Sequence, residues 1–526
     1  MKAIADDPPQ PAGEGRTRDG LPRRMAPTLV ATYTAEVVNA VAALVATPLL
    51  LHRLGSSAFG VWVLAGSVIL YLELFEFGFG AATTKLIAGD AGVDAGAVAR
   101  TVNTSIAILT PLGLVALVAG LLIAVFAPTW FSISGQLDHQ AVVVFGILAV
   151  SLAISIPLDT FGGALMGHQR SDLLSMTNLV LNLLTNLAAV TVVTLGGGLV
   201  PLALAAATIS IAMHPVRWRL LKRLVPSIRL SFRLVDRSRI RPTASTSGWF
   251  LLRDLASVAI NRIDLLVVGV ALSVREVALY AIGLKLAQLG QKALLPLAAL
   301  FFPHASSIAR RGSQSEIAAL LLDGTRIAML AGMPIMLALT LLSDLSVRAW
   351  VGQGHEPAAA VLICLAVGRG LMSISETPRG LLAGSGHIKP VALLSVAEAV
   401  TNLALSVALV RPLGVAGVAL GTTLAFVLVS LPTSVRVAGR LTGVTLRRLF
   451  TEAFAPHLLP LCVTTGMLLL ARGLLPAGSP LVLPAAVLAV VLYLACYGAV
   501  GAPRSDRERM RGGARTLLRL VARRPA

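Results

Sequence analysis

Five basic side chains interrupt the long apolar runs of this 526-residue chain: Arg253, Arg262, Lys285, Lys292 and Arg369. Acidic side chains do the same, among them Glu36, Asp254, Asp264 and Glu398. In a lipid-spanning helix an ionised side chain costs ~2.5–3.5 kcal/mol at the bilayer centre, so each is either functional or held by a partner. Cations in a low-dielectric cleft suit an anion of the phosphate type, Arg as a bidentate fork and Lys as a point charge. Carboxylates in the same setting suit a coupling cation or proton, or they hold the basic side chains.

Spacing sorts these residues onto helix faces. At about 100° per residue, Arg253, Asp254, Ser257, Asn261 and Asp264 share one arc, with Arg262 opposite and free to pair across to another helix. Lys285, Gln288 and Lys292 recur at i, i+3 and i+7, and Arg369, Ser373 and Glu376 also share a face. Thr32, Glu36, Asn39, Ala43 and Thr47 form a polar stripe, and Asn178, Asn182 and Asn186 form another. Amides in such a stripe can hydrogen-bond sugar hydroxyls; glue between helices is the plainer reading. The bland alternatives for the charges are local pairs, Arg253 with Asp254 and Arg262 with Asp264, and snorkelling of Arg253 and Lys292 to an interface. Glu73 and Glu76 read most simply as partners of Lys85.

The elements that carry these residues follow from composition. Hydrophobic residues make up 56% of the chain and charged residues 13%, with a mean hydropathy of +0.83. Runs of about 20 apolar residues match the thickness of a bilayer, and they lack the short alternation of a barrel strand. The expected fold is all-α and integral to the membrane, with about 14 transmembrane helices: 28–51, 56–82, 101–127, 140–158, 171–195, 197–217, 247–271, 277–302, 322–343, 357–377, 388–410, 413–435, 455–472 and 477–500. Residues 1–27, polar and rich in Pro and Gly, are expected to be a disordered cytoplasmic tail.

Lys and Arg orient the chain. With both termini in the cytoplasm, 34 of the 44 basic residues fall in inner loops and tails. Only Arg53, Arg275, Arg348, Arg411 and Arg472 fall outside. This asymmetry is the positive-inside pattern. The net charge of +19 therefore faces anionic lipid rather than nucleic acid.

The two halves repeat at an offset near 218 residues: DTFGGALMG at 159–167 answers ETPRGLLAG at 376–384, and Thr-Asn-Leu recurs at 185–187 and 401–403. In this register Glu36 falls on Asp254, and Asn182 and Asn186 fall on Glu398 and Asn402. The expected organisation is a six-helix bundle over 28–223, a basic linker over 224–246, a second six-helix bundle over 247–441, an extra helix pair over 442–500 and a basic tail over 501–526. An even number of spans gives both bundles the same orientation, with a cavity between them. The small-xxx-small pairs Gly163…Gly167 and Gly380…Gly384 suit close packing or a tight turn.

Residues 54–88 (LGSSAFGVWVLAGSVILYLELFEFGFGAATTKLIA) and 261–280 (NRIDLLVVGVALSVREVALY) resemble the bacterial polysaccharide exporters, or oligosaccharide flippases, of the multidrug/oligosaccharidyl-lipid/polysaccharide superfamily. The resemblance implies a plasma-membrane protein that moves a polyprenyl-diphosphate-linked oligosaccharide from the inner to the outer leaflet. Its partners would be that substrate, membrane lipids and glycosyltransferases or a polymerase of the same pathway. On this reading Arg253, Lys285, Lys292 and Arg369 form the basic field for the diphosphate. Glu36, Asp254 and Asp264 serve coupling or gating, and Asn39, Asn182, Asn186, Glu398 and Asn402 are the polar lining. A cation-coupled multidrug exporter of the same superfamily and a non-transporting scaffold are the alternatives. No Walker A loop, HExxH, zinc-type cysteine cluster or nucleophile elbow is present, so neither an enzyme nor a cofactor is expected. Cys364, Cys462 and Cys496 lie in apolar runs as packing residues.

Overall fold

A computed structural model describes residues 25–76, 79–91, 94–236, 238, 260, 262–292, 314–384 and 388–503, with side chains from Val38 onward except at 81, 292, 383–384 and 388–390. Among them there are helices and no strands. The first half comprises α1 (Met25–Leu54), α2 (Ser56–Leu72, continued by a 3-10 turn Glu73–Glu76), α3 (Phe79–Asp90), α4 (Ala95–Trp130), α5 (Gln136–Leu158), α6 (Thr160–Gly167), α7 (Ser171–Thr194) and α8 (Leu199–Leu224). The second comprises α9 (262–271), α10 (Val274–Lys292), α11 (Gln314–Leu341), α12 (Ser343–Val351), α13 (Pro357–Gly384), α14 (Ile388–Ala425) and α15 (Leu431–Thr442). A short α16 (Leu446–Leu449) leads into the final pair, α17 (Leu458–Leu474) and α18 (Val482–Cys496).

Without water to solvate a backbone, an apolar segment must satisfy its own N–H and C=O groups, and the helix does this within one segment. Interior prolines such as Pro48, Pro111, Pro157 and Pro334 are carried without ending their helices. Among the described residues ten helices are long and apolar enough to cross a membrane. One of these stretches, Val391–Thr442, bends back at Gly414, whose φ of 59° is open to glycine alone at low cost. The turn between these two expected spans therefore sits at Gly414, whereas Arg411-Pro412 stays helical. The expected seventh span lies largely outside the described residues, as does the end of the eighth.

The apolar interior is shared unevenly. One cluster joins both halves through Leu50, Phe59, Leu64, Leu265, Tyr280, Val351 and Val418. At the other end each half has its own cluster: Ile87, Val102, Leu165 and Leu221 in the first, Leu321, Leu381, Ala438 and Val444 in the second. The lobes thus meet at the end that carries Arg53 and Arg348. At that end α2 lies against α10 so closely that a Cβ on Gly60 would overlap the Val274 carbonyl.

The final pair is fastened to the second lobe. Leu468, Val482 and Ala489 pack on Ala338, Leu342 and Leu345. His457, fully buried, is 2.9 Å from the Tyr493 hydroxyl, is 3.1 Å from the Arg326 carbonyl on α11, and stacks on Tyr497. The π-helical turn Phe450–Phe454 loosens the backbone ladder, and Arg326 donates to the Glu452 carbonyl there at 3.2 Å.

Candidate functional site

Lys285 stands where the lobes meet. Its neighbours on α10, Tyr280, Ile282, Leu284 and Leu286, are buried, and Gly283 lets α10 approach the Ala358 carbonyl on α13. Lys285 is left facing α1 of the other lobe. Its Nζ donates to Thr47 Oγ1 at 2.7 Å, and Thr47 in turn donates to the Ala43 carbonyl. The ammonium lies 5.9 Å from the centre of the Phe59 ring, within cation–π range. Asn39, Gln288 and Trp350 join it around a pocket of about 110 Å³. Trp350 closes the pocket on the α12 side, its indole N–H donating to the Leu44 carbonyl at 2.8 Å.

The second cation in this region is Arg262, whose charge reaches Lys285. Arg262 faces Tyr71 and Glu73 of α2. It therefore addresses the opposite lobe, as its position on the far side of its helix from Asp264 requires. Glu73 lies in the field of Arg262, with Asp159 and Glu76 beside it. Lys85 is exposed and is not the charge that Glu73 faces.

Behind Lys285, inside the second lobe, sits Asp264. It is 3% exposed, and its Oδ2 accepts from Tyr280 at 2.6 Å and from Thr422 at 2.7 Å. Its Oδ1 has no hydrogen-bond partner. Asn402 Oδ1 accepts from Ser406 at 2.9 Å and lies 3.3 Å from Thr422 Oγ1, so carboxylate, amide and hydroxyl groups gather in one nest. Arg369 lends its charge to Asp264 from α13 and is 9% exposed, with an unpartnered Nε. Arg369, expected in the open basic field, is thus enclosed in the second lobe beside a carboxylate.

The other expected residues divide. Glu398 does not line a cavity: it is 3% exposed, 2.5 Å from the Arg379 guanidinium, and accepts from Ser430. Asn402 is likewise internal, 1% exposed. The reason is that α14 is covered by α13 and by the turn Phe426–Ser430. The matching helix of the first lobe, α7, is open on two sides. Met176, Val180 and Leu184 are exposed on one face, and Asn178 and Asn182 on the opposite one. Asn178 accepts from Arg217 at 2.8 Å, and among the described residues Asn186 bonds only the Asn182 carbonyl in its own helix. Glue between helices therefore describes Asn178, whereas Asn182 and Asn186 are left to an opening. Arg253 and Asp254 lie outside the described residues, as do the side chains of Glu36 and Lys292.

Two residues escaped the sequence reading. Arg217 on α8 is 6% exposed, binds Asp159 at 2.7 Å and sits beside His214, which is 3.0 Å from Ser155 Oγ. Arg379 holds Glu398 in the second lobe. The repeat contained the signal: Arg379 of ETPRG occupies the register of Gly162 in DTFGG, and the Arg217 guanidinium approaches Gly162 from α8. Each lobe buries one guanidinium there, supplied by a different helix. The glycine pairs differ too. Gly163 accepts from Thr84 and Gly167 meets Ile87, while Gly380 has open space around it.

The two lobes and the polar residues between them define the class: a multi-pass helical membrane protein whose fold matches solved transporters. The lipid II flippase MurJ in an inward closed conformation superposes with a TM-score of 0.70 at 13% identity, over 89% of this chain and 98% of that one. An inward-facing multidrug resistance MATE family transporter gives 0.66 at 16% identity, over 79% and 99%. The MATE multidrug transporter DinF-BH gives 0.60 at 14%, over 84% and 99%. A family model described as polysaccharide biosynthesis protein matches residues 50–360. That is more than half of the chain, and the chain belongs to this family. None of the curated proteins matches it.

Proposed function

We propose that this chain is a flippase-type secondary transporter that carries a polyprenyl-diphosphate-linked oligosaccharide from the inner to the outer leaflet for surface polysaccharide synthesis. The observation that carries the reading is Lys285. It is an ammonium held between the lobes by a hydroxyl, with no carboxylate in ion-pair contact among the described residues, and Arg262 is its charged neighbour. A cleft with that sign receives a diphosphate and disfavours a cationic drug. Asn39 and Gln288 beside Lys285, and Asn182 on the open face of α7, offer amides to sugar hydroxyls.

Asp264 suits coupling. A buried carboxylate with one oxygen satisfied by two hydroxyl donors and the other free suits uptake of a proton or a small cation at that free oxygen. Arg369 beside it moderates that affinity. Occupancy of the nest alters the packing of α9 against α14, and α9 also carries Arg262 toward the other lobe. Coupling therefore runs through the helix that carries both residues.

The polyprenyl chain stays in lipid. An apolar pocket of about 210 Å³ between Met329, Leu431, Leu449 and Phe454 lies on the flank of the second lobe, where the final pair meets it. It supports a lateral path for that chain.

The test is depletion of the protein in its own cell, followed by extraction of polyprenyl-linked intermediates. Accumulation of a lipid-linked oligosaccharide, with loss of the corresponding surface glycan, is the expected result. Unchanged lipid-linked pools, with increased sensitivity to cationic drugs instead, would replace this reading with drug export.

A further inference from the structure

The chain that leaves α8 is not a slack linker. Asn103 on α4, 6% exposed, uses both ends of its amide on it: Nδ2 donates to the Arg229 carbonyl, and Oδ1 accepts from the Ser231 N–H, each at 2.8 Å. Thr104 Oγ1 accepts from the Asp236 N–H at 2.9 Å, and Ile228 is buried beneath. Burying an asparagine to clamp a loop costs desolvation that the paired bonds offset, so the position of this segment is specified. Yet what the clamp presents is apolar: Phe232 is 89% exposed and Leu230 is 50% exposed.

Around these two residues Arg219, Lys222, Arg223, Arg229 and Arg233 are all exposed. None of the five has an ion-pair partner among the described residues. The carboxylates nearby are engaged elsewhere, Asp159 with Arg217, and Asp94 and Asp236 with Arg100.

The level of the segment follows from α4. Its 36 residues are about 54 Å long at 1.5 Å per residue, well beyond ~30 Å of hydrocarbon. The exposed apolar residues Leu114, Val118, Leu122, Val125 and Trp130 mark the part that faces lipid. Counting ~30 Å back from Trp130 puts the edge of the hydrocarbon near Thr110, and Asn103 about 10 Å further, at the head-group boundary.

We propose that residues 229–233, clamped by Asn103, anchor the first lobe to an anionic lipid surface. Leu230 and Phe232 enter the head-group boundary, and the five basic residues take lipid phosphates. An aromatic ring beside cations is the pairing that such an interface favours. A lobe seated in this way leaves the second lobe to do the moving. The inference rests on the membrane placement of the chain and not on the substrate proposed above.

The experiment uses the full chain in nanodiscs of phosphatidylcholine, with and without phosphatidylglycerol. Cys364, Cys462 and Cys496 are replaced by Ala, and a nitroxide is attached through Phe232→Cys or, for comparison, through the exposed Ser227→Cys. The expected result is that the label at 232 collides with oxygen and is protected from an aqueous nickel reagent when phosphatidylglycerol is present. The label at 227 should remain open to nickel, and the protection at 232 should be lost with Arg229→Gln and Arg233→Gln together. Equal nickel access at both positions would overturn the proposal, leaving a solvated loop. Protection from both reagents would overturn it in favour of a protein contact, and protection indifferent to phosphatidylglycerol or to the double substitution would remove the anionic partner.

Discussion

Lys285 Nζ and Thr47 Oγ1, 2.7 Å apart, belong to different lobes. With the Trp350–Leu44 bond they tie α1 to the second lobe at the end where the shared apolar cluster lies. If Lys285 meets the substrate as proposed, the cation that binds it and the latch at this end are one group. An anion that claims Lys285 competes with Thr47, and opening on one side is linked to loading from the other. This is a ligand acting through differential affinity for two states.

Thr47→Val keeps the shape and removes the acceptor. A hydrogen bond to a charged group contributes about 1.5–3 kcal/mol, so the outward-open population should rise roughly tenfold or more. Spin-label distances between the outer ends of the lobes should lengthen. An unchanged distance distribution would show that the latch resides in Trp350 alone.

Lys285→Met should leave insertion and thermal stability near wild type, because the stem still fills the pocket, while transport of the lipid-linked substrate is lost. Arg262→Met should act in the same direction. Proteoliposomes loaded with labelled lipid-linked oligosaccharide measure this. Full activity in both variants would remove these cations from the site.

Gly60→Ala should wedge the outer contact. The added methyl meets backbone at Val274, which has no flexible end to yield. Modification of Trp350→Cys by an outside thiol reagent, in a chain otherwise free of cysteine, should accelerate relative to the same chain with Gly60 intact.

Asp264→Asn preserves an oxygen for Tyr280 and Thr422 and removes the charge. Transport driven by an imposed proton or sodium gradient should lose its dependence on that gradient, while substrate binding persists. Retained dependence would place coupling at Glu36 or Asp254 instead.

Glu398→Ala removes the carboxylate from the Arg379 guanidinium, itself only 20% exposed, and leaves it the Ser430 hydroxyl. Breaking a buried pair from one side costs about 3–5 kcal/mol, and the unfolding midpoint in detergent should fall accordingly. Replacing both residues with Met should recover most of the loss. Asp94→Ala, which breaks an exposed pair with Arg100, should leave the midpoint close to wild type.

The sequence by itself determined the class, an all-helical membrane protein, and the set of charges within its apolar runs. Lipid imposes those demands one segment at a time: enough apolar length to cross, and a self-satisfied backbone. A run such as Leu112–Phe126 announces itself without reference to any neighbour. Which face of each span turns inward was decided only by tertiary structure, because in a bilayer both the packed side and the lipid side are apolar and the pattern carries little direction. Arg369, grouped with Lys285 by sign, went to Asp264 inside one lobe, and Arg262 took its place at the cleft. Glu398, in the register of exposed Asn182, was drawn inward by Arg379. A charge in lipid must find a partner, and the partner is chosen by helix rotation and crossing, which no local spacing records.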